Sequence, residues 1–230
     1  GENLFCRYYG ENDRLQVEVK GALGTPSSMV FCENQMRNIR YELYSQSQKE
    51  FRTLNGIISF LPMLQILQTY DAFLFHSSRI EMDGKAILFT GPSGIGKTTQ
   101  AVLWKNLEGA RHLCNDRTIL RLANERWVTY GYFEDGSEPI ADHKCLPLGA
   151  IVILKQDIQN KVFKENGKEA FKNLLEQIFV EKWDYVMINH ILELVTRLLK
   201  EIPIFYLSCL PDKTAVECLK EELKMEGVIK

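Results

Sequence analysis

The stretch KAILFTGPSGIGKTTQAVLWKNL, residues 85–107, decides the reading of this chain. Residues 85–90 form an apolar run suited to a buried strand. Residues 91–98, Gly-Pro-Ser-Gly-Ile-Gly-Lys-Thr, fit the pattern G-x-x-x-x-G-K-[ST]. Residues 98–107 carry a helical pattern, and Gly109 stands where a helix C′ glycine belongs. Strand, glycine loop and helix in this order form a cradle for phosphate. Glycines let the backbone fold so that its N–H groups point inward, and the helix N-terminus adds its positive dipole end. Gly91, Ser93, Gly94, Ile95, Gly96, Lys97, Thr98 and Thr99 are therefore the candidate residues for a nucleoside triphosphate. The Lys97 ammonium is suited to bridging the β- and γ-phosphates, and the Thr98 hydroxyl to holding Mg²⁺. A glycine turn that binds nothing is the plain alternative, and the full motif in strand–loop–helix context disfavours it.

Upstream of the loop, residues 72–80 read as a strand and Asp83-Gly84 as a two-residue hairpin turn. With those two residues as the turn, Met82 faces Lys85. Counting outward, His76 falls opposite Gly91, the first residue of the loop. An imidazole held there could tune or relay a proton; a structural His at a strand end is the alternative. Downstream, Asp116 follows the short strand expected at residues 111–114. A carboxylate at the end of a strand beside the loop strand is suited to accepting a hydroxyl proton or orienting Mg²⁺, whereas an exposed loop Asp would do neither. His112 and His143 have no partner at a useful spacing and read as surface residues.

The remaining pattern supports an α/β domain. Strands are expected at residues 117–122, 127–130, 150–154 and 204–207. Helices are expected where Phe171, Leu174, Leu175, Ile178 and Phe179 repeat at helical spacing, and again from Met187 to Leu198. Pro203 stops the second helix, and Asp212 caps a last one carrying Val216, Leu219 and Leu223. Before residue 70 the signals weaken. Leu15, Val17 and Val19 alternate as in a half-buried strand, residues 21–26 read as a turn, and residues 57–67 suggest a buried helix kinked or started by Pro62. The expected division is a small N-terminal region, 1–68, and an α/β domain, 69–230.

Composition excludes several classes. With 230 residues, a net charge of −2 and a pI near 6.2, the chain has no basic footprint for nucleic acid. Apolar runs reach about ten residues and are interrupted, too short for a membrane span. The opening residues carry no basic segment followed by an apolar run, so no signal peptide is expected there. Cys6, Cys32, Cys114, Cys145, Cys209 and Cys218 include no C-x-x-C pair, which argues against a metal site and for reduced thiols in a cytoplasmic setting.

Taken together, His76, the hairpin, the loop at 91–98 and Asn115-Asp116-Arg117 resemble the C-terminal domain of HPr kinase/phosphorylase. That family has a His before the loop strand, a loop Gly-x-Ser-Gly-x-Gly-Lys-Ser/Thr, and then an Asp-Asp pair. Phosphoenolpyruvate carboxykinases are its broader fold relatives. Ser137-Glu138-Pro139-Ile140, residues 146–151 and residues 204–210 look like the shorter members, which include lasso-peptide-precursor kinases. The resemblance spans residues 67–219. It implies a P-loop kinase fold with a mixed sheet, ATP or another nucleoside triphosphate with Mg²⁺, and a protein or peptide acceptor with a Ser/Thr hydroxyl, with no nucleic acid or membrane partner and a homo-oligomer as an option. It assigns Asp116 as general base and metal ligand, His76 as its support, Lys97 to the phosphates and Thr98 to the metal. Asn115 stands where the family has the first Asp of its pair. The Glu-x-Arg-Gly-x-Gly and Gly-Arg-Asn segments are absent, so HPr itself and the reverse reaction are not implied. An NTPase or an inactive nucleotide-binding scaffold of the same fold is the alternative. The Leu-Ser-Gly-Gly-Gln segment of ABC ATPases and the Asn-Lys-x-Asp base reader of GTPases are both missing.

Overall fold

Alternation of apolar and polar residues builds the N-terminal part of the chain. In the computed structural model, which describes residues 6–11, 14–20, 26–44, 58, 61–132, 142–165 and 167–230, Leu15, Val17 and Val19 are buried on one strand. Val30 and Cys32 are buried on the next. These strands belong to an antiparallel meander of β1 (Cys6–Glu11), β2 (Arg14–Lys20), β3 (Pro26–Glu33) and β4 (Asn38–Leu43) in the order β1-β2-β3-β4. Tyr8 joins this core, its ring 4.8 Å from that of Trp183 and tilted 35° to it. Helix α1 (Met63–Gln68) starts directly after Pro62, as a proline at a helix start allows. Most of the turn expected at 21–26, part of the apolar run at 57–67 and the segment 137–140 lie outside the described residues.

By internal contacts the chain divides into two units. One comprises Gly1–Thr69 with Val180–Ile188, the other Tyr70–Phe179 with Asn189–Lys230. The second unit is a mixed α/β fold. Its strands are β5 (Ala72–Met82), β6 (Lys85–Thr90), β7 (Arg111–Cys114), β8 (Arg117–Ala123), β9 (Arg126–Gly131), β10 (Leu146–Gln156), β11 (Lys161–Lys164) and β12 (Ile204–Cys209). The helices that follow α1 are α2 (Lys97–Glu108), α3 (Lys168–Leu175), α4 (Tyr185–Glu201) and α5 (Lys213–Met225). Helix α4 begins in the first unit and continues into the second. No described helix is long and apolar enough to cross a membrane.

The sheet order is β11-β12-β10-β6-β5-β8-β9, with β7 also on β5 and a further pairing of β10 with β9. Strands β6, β10 and β12 run parallel, and the other pairings are antiparallel. One face is covered by α2 and α5. Ile80, Ile87, Phe89, Val152 and Phe205 from the strands meet Ala101 and Trp104 of α2 and Val216, Leu219 and Leu223 of α5, all buried. Asp212 caps α5, accepting the Ala215 N–H at 3.0 Å. Trimming one methyl from this layer, as in Ile87→Val, should lower unfolding stability by about 1 kcal/mol, read as a shifted urea midpoint at constant slope.

Two elements depart from the sequence expectation. The strand expected at 150–154 begins at Leu146, because β9 and β6 both take up its first residues despite Pro147 and Gly149. The helix expected through Phe179 ends at Leu175, with Glu176 as its C-cap. The next residues are drawn onto β5 instead: Ile178 bridges Phe75, and the Phe179 N–H donates to the Leu74 carbonyl at 3.0 Å.

Candidate functional site

The hairpin register holds. Asp83 and Gly84 both have positive φ, 50° and 77°, the conformation a two-residue turn of this hand needs. Met82 pairs with Lys85, and the ladder runs on to Ser77 opposite Thr90. His76 is one residue beyond, and its carbonyl accepts from the Thr90 hydroxyl at 2.8 Å. There β6 stops and the glycine loop leaves the sheet. Its place along β5 is taken by Gln177, whose carbonyl accepts the His76 N–H at 2.8 Å. On the opposite edge of β5, His76 pairs with Arg117. The Ser77 N–H donates to the Asp116 carbonyl at 3.0 Å, and the Ser78 hydroxyl to the Asn115 carbonyl at 2.9 Å. Asn115 and Asp116 thus fill the gap between β7 and β8, their carbonyls pinned to β5 by the Ser77 N–H and the Ser78 hydroxyl. This juncture brings the loop, His76 and Asp116 together.

Imidazole and carboxylate meet directly, with His76 Nε2 3.2 Å from Asp116 Oδ1. Arg117 holds the other oxygen, its Nε 3.4 Å from Oδ2. The Arg117 guanidinium lies over the rings of Phe179 and Tyr132, which fixes it by cation–π contact. His76 is only 23% exposed at its side chain, and Asp116 34%. Burial pushes the His76 pKa below its ordinary value of 6.5. The nearby Lys97 ammonium pushes it the same way; Asp116 and a hydrogen bond with Gln177 oppose this without overcoming it. The ring is therefore neutral at pH 7. A neutral ring facing a carboxylate through Nε2 carries its proton there and donates it to Asp116.

The loop has the backbone its glycines permit. Gly91 has φ 140°, and a β-carbon there would sit 3.3 Å from both the Ile95 side chain and the Leu154 carbonyl. Gly96, at φ 112°, directly precedes α2 in a conformation that costs an L-residue strain. Around Gly94 and Gly96 the space a β-carbon would enter is open. Ser93, Thr98 and Thr99 are exposed, and Ile95 is half-buried. Lys97 is 7% exposed and turns back into the loop, donating to the Gly91 and Pro92 carbonyls at 3.0 and 3.1 Å. Burial lowers its pKa, and the field of Asp116 acts in the opposite sense. The ammonium is thus folded within its own loop and in electrostatic reach of both His76 and Asp116.

Among the described residues no group of three or more His, Cys, Asp and Glu side chains could hold a metal. Oxygen donors in the loop region include the Thr98 hydroxyl and the Asp116 carboxylate. That set suits Mg²⁺, which binds through one or two protein oxygens and completes its shell with phosphate oxygens and water.

Sequence reasoning missed Gln177 and Arg117. Arg117 was within the motif-bearing segment, but its aromatic seat on Phe179 and Tyr132 depends on distant chain. Gln177 lay inside an apparent helix. His143 is exposed as expected, whereas His112 is half-buried in β7. Cys32, Cys114, Cys145, Cys209 and Cys218 are free thiols.

No protein-family model and no curated protein matches the sequence. Among solved structures, the chain is similar to the Hpr(Ser) kinase/phosphatase from Coxiella burnetii at 14% sequence identity and a TM-score of 0.38, over 67% of this chain and 93% of that one.

Proposed function

We propose that the chain is a kinase that transfers the γ-phosphate of a nucleoside triphosphate to a hydroxyl of a protein or peptide. One observation carries this reading: a buried lysine at the start of the helix after a strained glycine loop shares an electrostatic environment with a His–Asp pair at 3.2 Å. A phosphate site alone would suit any nucleotide binder. A carboxylate held beside it, hydrogen-bonded by a neutral imidazole, is the equipment for taking a proton from an attacking group.

In this reading the loop N–H groups and the α2 N-terminus receive the phosphates. Lys97 exchanges its bonds to the Gly91 and Pro92 carbonyls for phosphate oxygens. Asp116 accepts the proton of the acceptor hydroxyl as its oxygen bonds to the γ-phosphorus. The bond from that phosphorus to the bridging oxygen breaks, and the electron pair leaves with the nucleoside diphosphate; the proton passes from Asp116 to solvent. His76 keeps Asp116 oriented, and Arg117 fixes the second carboxylate oxygen. A magnesium ion held by Thr98, Asp116 and phosphate oxygens would supply neutralisation of the charge that develops on the transferred group.

Incubation with MgATP and a Ser/Thr peptide library, read by mass spectrometry, tests the proposal. Phosphorylated peptide is the expected product. ATP hydrolysis at the same rate with and without peptide would make the protein an NTPase instead, and no nucleotide binding would remove the reading altogether.

His76 gives a finer check. Protonating it would set a cation against Asp116 and make that carboxylate a weaker base. Because its pKa is lowered, this should cost rate only below about pH 6.5. His76→Ala should slow turnover about tenfold, leave nucleotide affinity near wild type, and lose that acid limb. A variant with the wild-type rate and profile would show the imidazole to be structural.

A further inference from the structure

A cavity of about 530 Å³ opens beside the glycine loop, within the usual range for small-ligand sites of about 300–1,000 Å³. Gly91, Pro92 and Ile95 form its wall toward the loop. Gln177, whose side chain is hydrogen-bonded with His76, lies on the same wall and joins the cavity to the His–Asp pair. The far side is aromatic. Phe163 and Tyr206 stack with ring centroids 5.1 Å apart and planes 3° from parallel, and Phe163 remains 49% exposed. Tyr206 is fixed by the Asn173 amide, which donates to its hydroxyl at 2.5 Å.

The charge of the lining is one-sided. Glu165, Glu169 and Glu176 face a single cation, Lys155. Burial raises the pKa of the Tyr206 phenol, and the charges of Glu169 and Glu165 push it the same way, as acids lining the same cavity would. Glu165 is tied to the Gly167 N–H, while Glu169 and Glu176 are exposed, Glu169 accepting at a long 3.5 Å from the Asn173 amide. A chamber walled by carboxylates repels a polyphosphate. It attracts a cation, and the stacked ring pair offers a flat face for a planar one.

On the kinase reading above, we infer that this cavity is the acceptor site, and that the acceptor segment carries an arginine close to its hydroxyl. The guanidinium lies against the Phe163 face and donates its fork of N–H groups to Glu169 and Glu176. The neighbouring hydroxyl then reaches past Gln177 toward Asp116. The loop-side opening admits it to the phosphate, and the acidic lining keeps the nucleotide on the loop. Substrate choice therefore resides in charge at α3 and in the aromatic pair of β11 and β12.

The test is equilibrium binding of two fluorescent peptides to the whole chain: one with Ser next to Arg, the other identical except for citrulline, the neutral isostere. The Arg peptide should bind about tenfold more tightly, with an advantage that shrinks as salt rises. Glu169→Gln/Glu176→Gln should abolish the advantage while leaving ATP affinity unchanged; both side chains are exposed, so folding is expected to persist, and circular dichroism checks it. Phe163→Leu should weaken the Arg peptide more than the citrulline peptide. Equal binding of the two peptides, or failure of both to bind, would overturn the inference. So would variants that change ATP affinity in place of peptide affinity, because the cavity would then hold the nucleoside. Binding is read without turnover, so its outcome is separate from the kinase reading. A chain that phosphorylates Ser peptides with no preference for Arg keeps the kinase and loses the acceptor site. A chain that binds the Arg peptide through Glu169 and Glu176 but transfers nothing keeps the site and loses the kinase.

Discussion

Replacing Asp116 by Asn should leave nucleotide binding near its wild-type level while phosphoryl transfer falls by about 10³-fold. The amide preserves the size of the side chain and can still accept a hydrogen bond from His76. It cannot take a proton from the acceptor hydroxyl. Binding rests on the loop backbone, the α2 N-terminus and Lys97, none of which the substitution touches. The bonds that pin this corner, from the Ser77 N–H to the Asp116 carbonyl and from the Ser78 hydroxyl to the Asn115 carbonyl, are also untouched, so the fold should persist. Parallel titration with ATP and single-turnover transfer separate the two effects. A nucleotide affinity that falls in step with the rate would confine Asp116 to holding the metal or the fold and remove it as the base.

Lys97→Ala should abolish nucleotide-dependent activity, with a loss of about 10³-fold or more and a weakened affinity for ATP. The lysine sits in a largely water-excluded pocket, 7% exposed, where its charge acts at low effective dielectric. It is also the only cationic side chain in the loop sequence 91–98. Removing it has a second consequence that can be read independently. Lys97 lowers the His76 pKa, so in Lys97→Ala the imidazole should titrate closer to 6.5, visible as an upward shift by NMR. An unchanged turnover would remove the glycine loop from the mechanism. An unchanged His76 titration would mean that the lysine and the His–Asp pair do not share one site.

What the sequence disclosed was what local chemistry dictates. Asp83-Gly84 sets a turn with two positive φ angles, and that turn alone fixes which residues of β5 and β6 face each other. From it follows the placement of His76 at the mouth of the loop. Gly109 at φ 70° and Asp212 at the start of α5 were equally legible, because a left-handed C-cap and a side-chain N-cap each require a particular residue type. Asp116 was expected at the end of a strand beside the loop strand; β7 instead pairs with β5, and the attachment of Asn115 and Asp116 to β5 through the Ser77 N–H and the Ser78 hydroxyl carries no sequence signature.

The rest was hidden for physical reasons. Ile178 and Phe179 stand at helical spacing from Leu174 and Leu175, yet β5 lacks a partner where β6 ends and takes them into an extended pairing. That tertiary demand turns Gln177 toward His76. Strand β11 has four residues, Lys161–Lys164, with lysines at both ends; Val162 packs half-buried against the core, and Phe163 stacks on Tyr206 far along the chain. Pro147 and Gly149 argue against a strand, yet Leu146–Gln156 is one continuous strand with an irregular register there. The cavity therefore has no linear trace: its aromatic wall comes from β11 and β12, its acids from the start and end of α3, and its mouth from the loop.

The central claim is that Asp116, supported by His76, deprotonates a hydroxyl which then takes the γ-phosphate. The most direct measurement is the fate of a radiolabelled γ-phosphate in a single turnover, with enzyme in excess over ATP and a Ser-containing peptide present. The account predicts that in the wild-type chain the label appears on the peptide as a phosphomonoester faster than it appears as inorganic phosphate. In Asp116→Asn it should remain on bound ATP. Label released as inorganic phosphate at a rate indifferent to the peptide, or transferred equally fast by Asp116→Asn, would contradict it.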